Sequence, residues 1–332
     1  MILCVTLNPC LDKTLIVPAW RPGDLVRGRQ VHQVVGGKGN NVARALKRLG
    51  HSARPVTFLG GPAGLLCEHL LRHEDGFDPL IAPTQSATRT ILTVRTDQGP
   101  DQTAFFDPDP EISLAEADDL QKRVEKELTG GDVTALALSG SSPSPTTHGL
   151  FSDLICMARS RRVPIFLDTY GAALEAIWGF WPEVIHLNRR EAGLNLGRQR
   201  PTDEDLAGLL ARWADHGVRC ALITDGPETV LGRYDDLTFR VEPPDVDVVN
   251  PIGSGDSLLA GLIDAWLNGM GPEESVRRGL ACALANAKAW DAGAIDVETV
   301  RTLEGEVVVE ATPAENSSRV GKSLRMGRTR KR

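Results

Sequence analysis

The chain has 332 residues, 41 % of them hydrophobic and 24 % charged, with a formal net charge of −7. This is the composition of a globular protein with one large domain, or a domain plus a small appendage. The acidic balance argues against a nucleic-acid partner, because phosphate-backbone recognition needs a dominant basic surface; small anionic ligands, which need only a local basic pocket, stay open.

The opening MILCVTLNP has no basic region ahead of its short apolar run. No stretch approaches the roughly 20 apolar residues of a membrane span, so a cytoplasmic protein with no membrane partner is expected. Cys4, Cys10, Cys67, Cys156, Cys220 and Cys282 form no CxxC pair and have no His at metal spacing. They read as small buried apolar residues, not as disulfides or a zinc site.

In chain order, Ile2 to Leu7 reads as a short buried strand. Thr14 to Val35 then alternates apolar with polar residues, as half-solvated antiparallel strands do, and Arg89 to Phe106 does the same around a DQGPDQ turn. Together these predict a small sheet, over about 12–35 and 88–107, appended as a lid. Between them GGKGNNVARALKRLG gives a glycine-rich turn and a helix over Asn41 to Leu49. Helix-period segments at Leu114 to Leu128, Thr147 to Arg161, Asp203 to His216 and Ser257 to Leu267 alternate with strand-like runs at Thr134 to Ser139, Val163 to Asp168, Val184 to Asn188 and Cys220 to Thr224. That alternation predicts an α/β fold with a mainly parallel central sheet flanked by helices. From about Thr312 the chain is polar and basic and reads as a disordered tail, 312–332, leaving 1–311 as one domain. The GKS at Gly321 to Ser323 is not a P-loop, since the glycine needed six residues before the lysine is Asn316.

Ligands of such folds sit beyond the carboxyl ends of the strands, where Asn8, Asp12, Ser139, Asp168, Asn188 and Thr224 fall. Asp168 there either caps the next helix or faces the site. Two glycine-rich turns stand out. In GGKG the glycines let backbone approach a ligand, the helix start offers free N–H groups, and Lys38 adds a positive charge, which suits an anion or polyol. In NPIGSGDSLLAGLIDAW, Gly253 and Gly255 free the backbone for an anion cradle, with Asp256 at its rim. Asp256 could simply cap the helix. Capping, however, does not require the flanking glycines, whereas phosphoryl transfer to an alcohol needs a phosphate cradle beside a carboxylate able to take a proton.

Taken in order, Asn8-Pro9 with Asp12, GGKGNNVARAL, TRT at Thr88 to Thr90, SGS at Ser139 to Ser141, LDT at Leu167 to Thr169, NRRE at Asn188 to Glu191, TDG at Thr224 to Gly226 and GSGD at Gly253 to Asp256 resemble the ribokinase-like PfkB family of sugar kinases. The first and last motifs look most like the branch of 1-phosphofructokinases and tagatose-6-phosphate kinases. The resemblance implies a ribokinase-like fold whose β lid often also forms a homodimer interface, and an ATP- and Mg²⁺-dependent kinase for a hexose phosphate. By that resemblance Asp256 is the base, and Gly253, Ser254 and Gly255 form the anion hole. Asn188 and Glu191 organise Mg²⁺ through water, Thr224 and Gly226 face the nucleotide, and Asn286 lines the adenine pocket. Asp12, Gly37, Lys38 and Asn41 contact the sugar, Arg89 and Arg27 bind its phosphate, and Ser139 assists. The chain departs from the branch at Ile91 and Thr93, where Asn and Lys are usual, and at His186-Leu187, where Lys-Pro is usual. The first departure keeps fructose 1-phosphate, fructose 6-phosphate, tagatose 6-phosphate and unphosphorylated acceptors open.

Overall fold

The computed structural model describes residues 1–96, 102–177 and 181–314. Among these, ten strands form one sheet in the order Glu310–Pro313, Leu237–Val241, Val230–Tyr234, Cys220–Thr224, Val184–Asn188, Ile165–Asp168, Ala135–Ser139, Ile2–Thr6, Ala53–Leu59 and Leu80–Pro83. The first three run antiparallel at one edge. The other seven are mutually parallel. The sheet is therefore mainly parallel, as the alternating pattern predicts, and the antiparallel edge is the part that pattern did not carry.

Successive strand residues face opposite sides, and both sides are apolar. Leu3, Val5, Leu136, Leu138 and Ile165 pack on one face beneath the helices Leu114–Gly130, Leu150–Ser160 and Asp203–Asp215. Ile2, Cys4, Ala135, Ala137 and Phe166 pack on the other beneath Lys38–Arg48, Ser254–Leu267, Pro272–Ala287 and Val297–Glu306. The two central helices of that second layer cross closely at glycines: a Cβ on Gly261 would lie 2.8 Å from both the Arg278 carbonyl and Gly279 Cα. No described helix is long and apolar enough to cross a membrane.

A separate four-stranded sheet has the order Gln30–Gly36, Cys10–Val17, Arg89–Thr96, Gln102–Phe106. It forms where the alternating segments predict a lid, with one correction: Cys10–Val17 and Arg89–Thr96 pair parallel, in the register Cys10↔Arg89 and Asp12↔Ile91. The chain leaves the lid through Gln30–Gly36, passes through two strands of the main sheet and re-enters in the original direction, so no hairpin joins the central pair. Two contacts tie the lid to the loop after Pro272–Ala287: His32 Nε2 lies 2.7 Å from Asp291 Oδ1, and the Arg95 guanidinium lies 4.6 Å from the centre of the Trp290 ring.

Other expectations also shift. Thr312 and Pro313 belong to the last edge strand, where Thr312 pairs with Thr238, because the open edge at Leu237–Val241 offers backbone partners that a polar sequence can satisfy. A tail starting at 312 is thus too early, and residues 315–332, with Gly321 to Ser323, lie outside the described residues. So do residues 97–101, which hold most of the expected DQGPDQ turn. Cys156 is exposed, whereas the other five cysteines are buried as expected.

Candidate active site

The parallel register aligns the carboxyl ends of neighbouring strands, pairing Thr6 with Ser139, Ser139 with Asp168 and Asn188 with Thr224. With Leu167 opposite Ile185, the next pair is Asp168 and His186. A cleft of about 660 Å³ opens above this row, between the sheet, the lid and the starts of the helices Lys38–Arg48 and Ser254–Leu267.

Its floor is a charged network. Lys38 Nζ donates to Asp168 Oδ1 at 2.6 Å and to Glu191 Oε1 at 2.8 Å. The other Asp168 oxygen lies 3.0 Å from His186 Nδ1, and His186 Nε2 lies 3.1 Å from Thr224 Oγ1. Burial alone would raise the Asp168 pKa, but Lys38 and His186 outweigh it and hold the carboxyl below its usual range. Burial would likewise lower Lys38, yet Asp168 and Glu191 overcome it and keep the ammonium charged. Asp168 thus faces the site, and Lys38, expected on the sugar, is spent on two carboxylates.

Gly253 adopts φ 86°, a left-handed conformation that glycine takes without strain. It is the residue ahead of the Ser254–Leu267 helix, whose first-turn N–H groups have no acceptor within the helix. A Cβ on Gly255 would sit 2.8 Å from His186 Cε1, and one on Gly253 2.6 Å from Ala292 Cβ. Each glycine is therefore required, one by backbone sign as well as by packing, the other by packing against the floor.

Asp256 lies within the first turn of that helix and is not its N-cap. Its Oδ2 accepts from Asn41 Nδ2 at 2.8 Å, and its side chain lines the cleft. Burial and the neighbouring Asp168 charge push its pKa up to about 7, against the opposing pull of Lys38, Asn41 and His186. It is poised to gain or lose a proton near neutrality.

On either side of Asp256 the cleft has opposite character. Towards the lid it is mostly polar, lined by Asn8, Asp12, Arg89 and Ser141 with Cys10 and Ile91 between them; away from it lie Val246, Val248, Ile252, Ala283, Leu284 and Ala287. Asp12 and Arg89 come from adjacent lid strands, and burial raises the Asp12 pKa. Asn188 and Glu191 form a reciprocal cap: Glu191 N donates to Asn188 Oδ1 at 2.9 Å, and Asn188 N to Glu191 Oε2 at 3.0 Å.

Gly37, Lys38, Asn41, Asp12, Arg89, Asn188, Glu191, Thr224, Gly226 and Gly253 to Asp256 all line this cleft. Three expected residues do not. Arg27 is exposed on the loop between lid strands, whose end is held on its own lid strand by Arg29 N donating to Ile16 O at 2.7 Å. Ser139 is fully buried at its strand end, and the chain turns so that Gly140 and Ser141 face the cleft instead. Asn286 is buried beneath the cradle with its amide engaged: Nδ2 donates to Ile252 O at 2.8 Å and Ser254 Oγ at 3.3 Å, and Oδ1 accepts from Ser257 Oγ at 3.1 Å and Gly293 N at 2.7 Å. It braces the cradle and leaves the apolar wall to Ala283, Leu284 and Ala287, whose spacing on the small-residue segment ALANA was the available signal. Asp109 and Tyr170 were also missed; only the DPDP run hinted at the first.

Solved structures share this architecture. A possible 1-phosphofructokinase from Thermotoga maritima superposes with a TM-score of 0.84 at 24 % identity, over 94 % of this chain and 99 % of that one. Phosphofructokinase-2 from Escherichia coli, in complex with potassium, superposes with a TM-score of 0.83 at 24 % identity, over 92 % and 98 %. At such identities the likeness establishes the ribokinase-like fold. The profile of the pfkB family carbohydrate kinases, in contrast, matches the sequence itself across residues 5–298, and with nearly the whole chain spanned, the protein belongs to the PfkB family of carbohydrate kinases.

Proposed function

We propose that this carbohydrate kinase transfers the γ-phosphoryl group of ATP to a hydroxyl of a hexose phosphate, with Asp256 as the general base. The observation that carries the reading is the position of Asp256 at the junction of an apolar half-cleft, a glycine cradle and a polar half-cleft. The apolar wall of Val246, Ala283 and Leu284 suits a flat nucleotide base. First-turn N–H groups from Gly255 onward suit the negative charge of the moving phosphoryl group, and preorganised donors stabilise it without reorganisation. Asp256, held by Asn41, takes the acceptor's proton. Gly253 and Ser254 fix the cradle's shape, and Thr224 and Gly226 border its nucleotide side.

Mg²⁺ supplies charge neutralisation on the nucleotide's phosphates. The donor set here fits a hydrated ion arriving with the nucleotide, because Asn188 and Glu191 already bond each other and Glu191 also holds Lys38. Asn188 and Glu191 would hold such an ion through its waters. Asp12, Gly37, Lys38 and Asn41 border the acceptor's seat, with Arg89 as the cation at its far end. The likeness to phosphofructokinases, one solved with fructose 6-phosphate, supports a phosphorylated acceptor. A second reading, an unphosphorylated sugar, is favoured by Lys38 being doubly paired and Arg27 lying outside the cleft.

The face of the lid turned away from Asp12 and Ile91 carries Val31 and Phe105, each more than half exposed. This exposed apolar pair supports a homodimer through the lid. Coupled ADP-release assays against fructose 1-phosphate, fructose 6-phosphate, tagatose 6-phosphate and free hexoses test the function: acceptor-dependent release is expected, and nucleotide binding with no such release across the panel refutes it.

A further inference from the structure

Arg89, the cation proposed for the acceptor's phosphate, already has an anion. Its Nη1 donates to Asp109 Oδ1 at 2.8 Å, and the same oxygen accepts from Asn8 Nδ2 at 2.9 Å. Asp109 sits on the segment leaving the lid strand Gln102–Phe106, and its side chain stays 46 % exposed while that of Arg89 is 16 % exposed. One carboxylate oxygen thus rests between two donors from different elements, as a phosphate oxygen would. Arg89 Nη2 is spent on the Asn8 carbonyl at 3.2 Å, and only its buried Nε lacks a partner.

The surrounding charge sharpens the point. Asp12 feels the charge of Arg44, itself paired with Asp75, and that of Arg89, so Asp12 and Asp109 both draw on the Arg89 charge at this end of the cleft. Lys38 is held by Asp168 and Glu191. Ile91 stands on the same strand as Arg89 and lines the cleft without charge. Asn8 Oδ1 is buried without a partner, an acceptor that a sugar hydroxyl can satisfy and a phosphate dianion cannot.

We propose that Asp109 is a specificity-determining residue that occupies the anion seat of Arg89 and Asn8, so that a phosphate on the acceptor binds only by expelling it. This rests on reading the lid end of the cleft as the acceptor's seat. Asp109 is on a half-exposed segment and its pair with Arg89 is shallow, so expulsion is feasible and carries a cost. A free sugar, presenting hydroxyls, does not incur that cost. Discrimination between phosphorylated and free sugars is accordingly weaker than a bare Arg89 would give.

The test is Asp109→Asn, which keeps the shape and removes the charge. Calorimetric titration with fructose 1-phosphate, fructose 6-phosphate and fructose reads binding without turnover, so failure of the kinase reading and of this proposal are separable. The variant is expected to bind at least one phosphosugar about tenfold more tightly, from relief of the pair and of like-charge repulsion, and fructose within about twofold of the original. Adding Arg89→Ala should abolish the gain. Phosphosugar affinities that stay unchanged, fall, remain undetectable in both proteins, or rise no more than that for fructose would overturn it, as would a gain that survives Arg89→Ala.

Discussion

Replacing Asp256 with Asn separates a catalytic from a structural role, because the two properties should move in opposite directions. The amide keeps the volume and can still accept from Asn41 Nδ2, which lies 2.8 Å from Oδ2, but it cannot take a proton. Loss of a general base costs about 10²- to 10⁴-fold in kcat. Stability should rise. A carboxyl raised from 3.8 to about 7 is disfavoured in its ionised form by roughly 4 kcal/mol. The folded state binds that proton more tightly than the unfolded chain does. The carboxyl's stabilising contribution is therefore complete below 3.8 and lost as pH rises through about 7. The Asn variant lacks this loss, so its melting temperature should exceed the original's by more at about pH 8 than at about pH 5. Paired ADP-release kinetics and thermal melts at the two pH values measure both effects. A kcat retained within about threefold refutes the base, and a gain in melting temperature no larger at the higher pH refutes the electrostatics.

Lys38→Met removes a charge that lowers the Asp256 pKa, so the acid limb of the pH–rate profile should move to higher pH; it also strips two carboxylates of their partner, costing up to about 3 kcal/mol in denaturant titrations. Asn286→Ala leaves the buried Gly293 N–H and the Ile252 carbonyl without their side-chain partners, for a loss of about 2–4 kcal/mol; kcat should fall more than acceptor KM rises, and Asn286→Asp, which keeps the Oδ1 acceptor, should be intermediate. Gly261→Ala forces a Cβ against the Arg278 carbonyl and Gly279 at 2.8 Å, predicting a loss of about 1–3 kcal/mol in thermal or denaturant unfolding with kinetic constants of the folded protein unchanged.

The sequence carried the layer architecture because periodicity is local: Val184 to Asn188 and Cys220 to Thr224 were bounded to the residue, and they emerge as strands with those ends. The glycine cradle was legible for the same reason, its sign and spacing being written in adjacent residues. What stayed hidden depends on partners distant in sequence. Lys38 could not be seen to serve Asp168 and Glu191, since 130 and 153 residues separate them. Asn286 was placed by motif position, yet which way a helical side chain points is decided by what packs over it, here the loop carrying Ile252. Beyond the DPDP run, Asp109 carries no local signal: its meaning comes from Arg89, 20 residues back, and Asn8, 101 back. The antiparallel edge was missed because short hairpin strands such as Val230–Tyr234 resemble ordinary turn-rich loops.

The strand Ile2–Thr6 lies between Ala53–Leu59 and Ala135–Ser139, which has a consequence for how the molecule is made. It is synthesised long before its second neighbour, and Ile2 must wait for Ala135, an interval of roughly ten seconds at ordinary elongation rates. Until then one edge of a strand that is apolar from Ile2 to Val5 has no hydrogen-bonding partner, the kind of exposure that invites aggregation or chaperone capture. A nascent chain stopped short of Ser139 holds the glycine turn of the acceptor seat but not the sheet that supports it. Production of folded kinase should therefore depend on how quickly translation passes this point, and slow codons placed just before it should lower the yield without altering a single residue.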